Sequence, residues 1–211
     1  MKWEDGSLTI TQFRALGHHA LRLAEGTIDA LVGKFRPSLN LSLLRDRISE
    51  YRRGYSFVQE PKNDISSAYL DLANKICADL ESGLMTRNGW NIRSVRQFLR
   101  KEEILLKQIM LMMYLRGGQA PRTTEFFSLR CWNGASTLRG LYFHEDSILY
   151  VTRHLKARRA TNREFQVARY LPKGDSLALA TYLVYVRPLA EMIYRSSFGA
   201  DRERSLLFSS L

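Results

Sequence analysis

The chain has 211 residues, 45 % hydrophobic and 25 % charged, ordinary values for one large folded domain or two small ones. Its net charge of +11 argues for a polyanionic partner, with nucleic acid first in line. Cys77 and Cys131, the only cysteines, make no disulfide framework or zinc site, so a reducing intracellular compartment is expected. The N-terminus lacks the apolar stretch of a signal peptide. No apolar run is read as a membrane span, the longest approach being residues 104–115, interrupted by Lys107 and Gln108.

Residues 8–35 read as a helix, with Ile10, Phe13, Leu16, Ala20, Leu23, Ala24, Ile28, Leu31 and Phe35 at helical spacing. Ser7 or Thr9 can cap it and Pro37 closes it. A short helix is expected at 41–51, then a loop marked by Gly54 and Pro61-Lys62-Asn63. A second long helical pattern covers 66–84, through Tyr69, Leu72, Ala73, Ile76 and Leu80, and stops at Asn88-Gly89. Helices follow at 92–99 and 101–115. The polar run Lys101-Glu102-Glu103 places a division near residue 100, giving a helical unit 1–100 and a second unit 101–211. Met110, Met112 and Met113 read as core filler.

After residue 133 the period changes to that of strands. Residues 136–143 and 148–153 alternate, joined at His144-Glu145-Asp146-Ser147, and 163–171 alternates with Phe165, Val167 and Leu171 on one side. Pro172-Lys173-Gly174-Asp175 ends the strand, and Asp175 can cap a helix over 176–194 that Pro188 should kink or break. The expected fold class is mainly α with a small antiparallel three-stranded sheet.

Two residues stand out as phosphate ligands. Arg122 follows the turn Gly117-Gly118-Gln119-Ala120-Pro121, and a guanidinium forks onto two phosphate oxygens. Glu125, three residues on, lies on the same helical face and can hold it. Lys156 lies between two expected strands, where it can stabilise a phosphorane or protonate a leaving oxygen. Residues 151–173 hold seven basic groups against one acidic group. Arg153, His154, Arg158, Arg159, Arg163 and Arg169 are therefore read as DNA-binding. His18 and His19 are adjacent and cannot share a metal from one helix face. No triphosphate-binding loop is present, so no metal or cofactor is expected.

The order helix, Arg-x-x-Glu, three strands and hairpin lysine resembles the first half of a tyrosine recombinase catalytic domain, and the preceding helices resemble its core-binding domain. Arg122-Thr123-Thr124-Glu125-Phe126-Phe127-Ser128-Leu129, Asn133, His154-Leu155-Lys156 and Ala168-Arg169-Tyr170-Leu171-Pro172 are similar to a recombinase-derived region. That region occurs in fungal telomere-linked RecQ-type helicases and mobile-element proteins. Thr11-Gln12-Phe13-Arg14 and Gly54-Tyr55-Ser56-Phe57 fit the same family. The resemblance implies that Arg122 matches the first catalytic arginine, Glu125 its acidic support and Lys156 the hairpin lysine.

The family also needs a later His-x-x-Arg motif and a tyrosine nucleophile. No histidine follows Lys156, and Tyr170, Tyr182, Tyr185 and Tyr194 come early for the nucleophile. The expectation is a DNA-binding recombinase-like module, inactive alone, with Arg122 and Lys156 as vestiges of a site. Its expected partner is duplex DNA in the nucleus, with a homo-oligomer on DNA left open and no membrane. The alternatives are the N-terminal part of an active breaking-rejoining enzyme or of a larger helicase. A third is a helical domain that meets an acidic protein.

Overall fold

The computed structural model describes residues 2–3, 6–7, 9–79, 82–154, 165–201 and 205–209. Two short strands, β1 (Lys2–Trp3) and β2 (Gly6–Ser7), pair antiparallel ahead of helix α1 (Ile10–Val32). Thr9 starts α1 with a reciprocal cap: Gln12 N–H donates to the Thr9 hydroxyl at 3.2 Å, and Thr9 N–H donates to Gln12 Oε1 at 2.8 Å. Gly33, at φ 60°, ends it.

The buried face of α1 differs from the expected one. Gly17, Ala20, Ala24, Ile28 and Leu31 are buried, whereas Ile10, Phe13, Leu16 and Leu23 are exposed. Small side chains let α1 lie close against the next long helix, and larger ones would hold it off. A Cβ on Gly17 would stand 2.8 Å from Cγ of Arg116.

The helix expected at 41–51 reduces to one 3₁₀ turn, Leu41–Leu43. The next residues are drawn into distant contacts instead. Asp46 pairs with Arg139 at 2.8 Å and accepts the Phe143 N–H at 2.9 Å, and Arg45 N–H donates to Asn63 Oδ1 at 2.8 Å. Helix α2 (Tyr69–Ala78) is shorter than the 66–84 pattern. The Ser82 hydroxyl reaches the carbonyls of Ile76 and Asp79, at 2.8 and 2.6 Å, and the backbone no longer needs another turn.

The hairpin β3 (Met85–Thr86) and β4 (Gly89–Trp90) leads to Asn91, which caps α3 (Ile92–Arg116). This helix runs through residue 100 unbroken, so the division expected there falls inside an element. Val95, Phe98, Glu102, Leu105, Leu106, Ile109, Met112 and Met113 form its buried face.

Helix α4 (Thr123–Phe127) precedes the sheet of β5 (Leu141–His144), β6 (Ser147–His154) and β7 (Phe165–Tyr170). The sheet is antiparallel in chain order. The fold is therefore mainly α with a small three-stranded antiparallel sheet. Glu145 and Asp146 turn the first hairpin with φ of 46° and 62°, as a two-residue turn between right-twisted strands requires. The first strand starts at Leu141 rather than at 136, because Gly134 N–H bonds the Thr137 carbonyl and closes a turn there. On β7 the inward position is held by Arg169, and Phe165 is 62 % exposed.

The last long helix, Lys173–Phe198, comprises α5 (Lys173–Thr181), a π turn (Tyr182–Val186) and α6 (Arg187–Phe198). Pro188 sits in the first turn of α6, and the wider turn before it accommodates its missing N–H. The helix continues past the proline instead of breaking. Asp175 is not its cap. It lies in the first turn, wholly buried, 2.6 Å from Arg116 Nε. Lys173–Phe198 is long and apolar enough to cross a membrane, which corrects the reading of 104–115 as the longest such stretch; 78 % of its most apolar window is buried inside the fold.

The phrases Gly54-Tyr55-Ser56-Phe57 and Asn133 meet as a structural joint. Gly54 N–H donates to the Asn133 carbonyl at 2.7 Å, and Asn133 N–H donates to the Tyr55 carbonyl at 3.0 Å. Arg139, wholly buried, lies over the rings of Tyr55 and Tyr142 at 4.8 and 4.4 Å. The Tyr55 hydroxyl donates to Glu60 Oε2 at 2.8 Å, and Arg47 Nε donates to the same oxygen at 2.8 Å.

Those two bonds, Tyr55 first and Arg47 second, hold the Glu60 carboxyl below its ordinary value of 4.5. A depressed carboxylate contributes stability above the unfolded value and loses it as pH falls through the folded value. Glu60→Gln should therefore melt below the unaltered chain at pH 7, and the gap should narrow below about pH 4.5. Melting curves across that range check it; a gap that stays constant would exclude an ionised Glu60.

Candidate functional site

The surface corner that carries Arg122 is built from the C-terminus of α3, the loop after it and α4. Gly117 caps α3, its N–H on the Met113 carbonyl at 3.0 Å. Gly118 adopts φ 86°, a region that favours glycine, and turns the chain toward Pro121. Arg122 occupies the N-cap of α4, and its carbonyl accepts the N–H groups of Glu125 and Phe126 at 3.0 and 2.9 Å. Its side chain is exposed and has no hydrogen bond or ion pair among the described residues.

Arg169 fixes the loop from beneath. Its Nε donates to the Gln119 carbonyl at 2.6 Å and its Nη1 to the Thr152 hydroxyl at 2.8 Å, with the guanidinium 5.7 Å from the Tyr150 ring centre. The Tyr150 hydroxyl donates to the Met113 carbonyl at 3.4 Å. Burial pushes that hydroxyl up to about 12, so it stays protonated. Phe126 packs on Tyr150 at 5.9 Å between ring centres, seating α4 on β6. Phe208, from far along the chain, covers Phe126 and Phe127 at 5.0 and 5.9 Å.

The structure divides the expected site residues. Arg122 is displayed to solvent as a phosphate ligand would be. Glu125 is buried in the first turn of α4 but does not pair with Arg122. The Arg122 side chain stands in solvent at the N-cap position while the Glu125 carboxylate is buried. Arg169 is buried, with donors on a carbonyl and a hydroxyl and its guanidinium by a ring; it supports the corner from inside the fold. Arg153 is half-buried and donates to the carbonyls of Leu138 and Arg139 and to the Tyr142 hydroxyl, at 3.2–3.3 Å, holding β6 to the chain before β5. The backbone of His154 pairs with Phe165 at the end of the β6–β7 ladder. Lys156, Arg158, Arg159 and Arg163 lie outside the described residues.

Several exposed cations escaped the sequence reading. Arg93, Arg96 and Arg100 on α3 are exposed and have no side-chain partner among the described residues. The signal is their spacing of three and four on one helix, which is lost when 92–99 and 101–115 are read as separate helices.

Two tyrosines considered as nucleophiles are buried. The Tyr182 hydroxyl donates to Glu102 Oε1 at 2.9 Å, and burial raises its pKa well above the ordinary 10, the reverse of what a nucleophile needs. Tyr185 is enclosed in the core. Tyr170 is exposed beside His144, with 3.4 Å between its hydroxyl and Nδ1.

A cleft of about 460 Å³ opens between the Phe57–Gln59 turn, Trp132 and α6. Its arginines are bound by neighbours: Arg187 by Glu191 at 3.3 Å and by the Leu206 and Leu207 carbonyls, Arg195 by Asp201 at 2.7 Å. Among the described residues no three His, Cys, Asp or Glu side chains cluster to hold a metal. No known protein-family model matches the chain, and no solved structure matches it.

Proposed function

We propose that this chain is a duplex-DNA-binding module of tyrosine recombinase-like build that grips phosphate without cutting the strand by itself. The carrying observation is Arg122: an exposed guanidinium without a partner among the described residues, on a corner fixed by buried Arg169. The surrounding arginines are spent on carbonyls and carboxylates, which leaves Arg122 as the cation that the corner presents. The basic residues between β6 and β7 add charge to the same half of the chain. In this reading the residues of this chain make no strand-transfer site of their own, because Tyr182 and Tyr185 are enclosed in the core.

Binding to random duplex should fall with salt at a log–log slope of about −4 to −5, as for roughly 4–6 neutralised phosphates. Arg122→Ala should reduce the magnitude of that slope by about one and leave the melting temperature unchanged, since an exposed unpaired charge contributes little to folding. Absence of binding at low salt would sink the reading. A denaturation-resistant protein–DNA adduct on a nicked substrate would overturn its non-cutting half.

A further inference from the structure

Helix α3 carries a second cationic surface, separate from the Arg122 corner. Arg93, Arg96, Arg100 and Lys107 fall within about a quarter of the helix circumference at 3.6 residues per turn, and all four are exposed. Ile104, Leu111 and Tyr114 continue the same exposed strip toward the C-terminus. Lys107 is held by Glu103 at 2.7 Å. Arg93, Arg96 and Arg100 have no partner among the described residues.

Arg93 lies in the first turn of α3, where no acidic residue stands and a cation opposes the helix dipole. The three arginines are exposed, and no neighbouring described side chain uses them. Their placement suits an outside ligand. Neighbouring guanidinium groups stand about 5 Å apart along the helix axis, a density that one strand's backbone can match at about 3.4 Å per phosphate. Arginine also meets phosphate with two parallel bonds.

We propose that this strip of α3 is a second contact with the DNA backbone, sequence-independent, through Arg93, Arg96 and Arg100. It rests on the DNA-binding reading above and extends it. From Arg96 to the helix end at Arg116 the rise is about 30 Å at 1.5 Å per residue, so the strip lies well away from the corner that follows that end.

The test is fluorescence anisotropy on a random 25-base-pair duplex between 50 and 300 mM salt. It compares the unaltered chain, Arg93→Gln/Arg96→Gln/Arg100→Gln, and a charge-matched control, Arg22→Gln/Arg53→Gln/Lys62→Gln. Glutamine is a good helix former, and melting curves verify that each variant folds. The strip variant should lose about three from the magnitude of the salt slope, and the control less than one. The proposal is overturned if the strip variant keeps the full slope, or if the control loses as much. It is overturned too if the strip variant loses affinity only for polyglutamate, which would assign the face to an acidic protein. No binding by the unaltered chain removes the DNA reading itself, so the two failures are distinct.

Discussion

Arg139→Met should be the most damaging single change in this fold. Arg139 and Asp46 are both wholly buried and lie 2.8 Å apart. The arginine also donates to the carbonyls of Glu50 and Arg47, at 3.3 and 3.1 Å. Removing it leaves a carboxylate enclosed without its counter-charge, a loss of about 3–5 kcal/mol. For a domain of this size the melting temperature should fall on the order of 10 °C.

The same pair predicts how that loss varies with pH. Burial already raises the Asp46 carboxyl above its ordinary 3.8, against the opposing pull of Arg139. Without Arg139 it rises further. A raised carboxyl destabilises the fold only above its unfolded value, increasingly as pH climbs through the folded value. The deficit of Arg139→Met should accordingly be smallest near pH 4 and largest at pH 7. Asp46→Asn in the same chain should recover much of it, because the amide oxygen still accepts the Phe143 N–H. A deficit independent of pH and unrelieved by Asp46→Asn would mean that Arg139 acts through packing on Tyr55 and Tyr142 alone.

Gly117→Ala should damage both fold and binding without touching a charge. The φ of −79° at this position suits any residue, so the constraint is space. An added Cβ would collide with the Tyr150 hydroxyl and stand 2.6 Å from the Met113 carbonyl. Neither can move cheaply, since one is buried on β6 and the other is backbone in the last turn of α3. Overpacking of this kind costs about 1–3 kcal/mol. It also pushes the loop that Arg169 anchors, and Arg122 moves with it. DNA affinity should fall at least as far as in Arg122→Ala, and melting should fall too. Gly26→Ala is the matched control, because nothing lies within 4 Å of its Cβ position. A helix-interior alanine there should stabilise by about 0.5–1 kcal/mol and leave binding unchanged. Retention of both properties by Gly117→Ala would show that the corner does not depend on this contact.

The periodicities made the element types legible, and packing decided the rest. Strand alternation located β5, β6 and β7 although Leu141, Tyr142 and Phe143 of β5 are all buried and the inward position of β7 is an arginine. The stripe on α1 misled because Gly17, Ala20 and Ala24 carry little hydrophobic signal, yet the close helix contact selects them. Residues 41–51 have local helix signals that the buried Asp46–Arg139 pair overrides at long range. The candidate site was legible only as charge. Nothing in the sequence distinguishes Arg169 and Arg153, whose donors are satisfied inside the fold, from Arg122, whose donors face water. That difference depends on which carbonyls lie within reach, and it exists only once the chain is folded.

The seating of Phe208 under α4 has a consequence for the order of assembly. A helix of five residues has no independent stability. It is held by Phe126 against Tyr150 on one side and by Phe208 on the other. The extended segment at residues 129–131 is likewise closed by Ser205 and Leu207, through N–H···O bonds of 2.8 Å. These partners are synthesised about 80 residues after the arginine they help to present, and closing so long a loop comes late in folding. A nascent chain in which α1, α2 and α3 have already packed would still lack the corner that displays Arg122. A phosphate ligand of the kind proposed would thus meet the finished domain and not an intermediate that displays Arg122 on a loose loop.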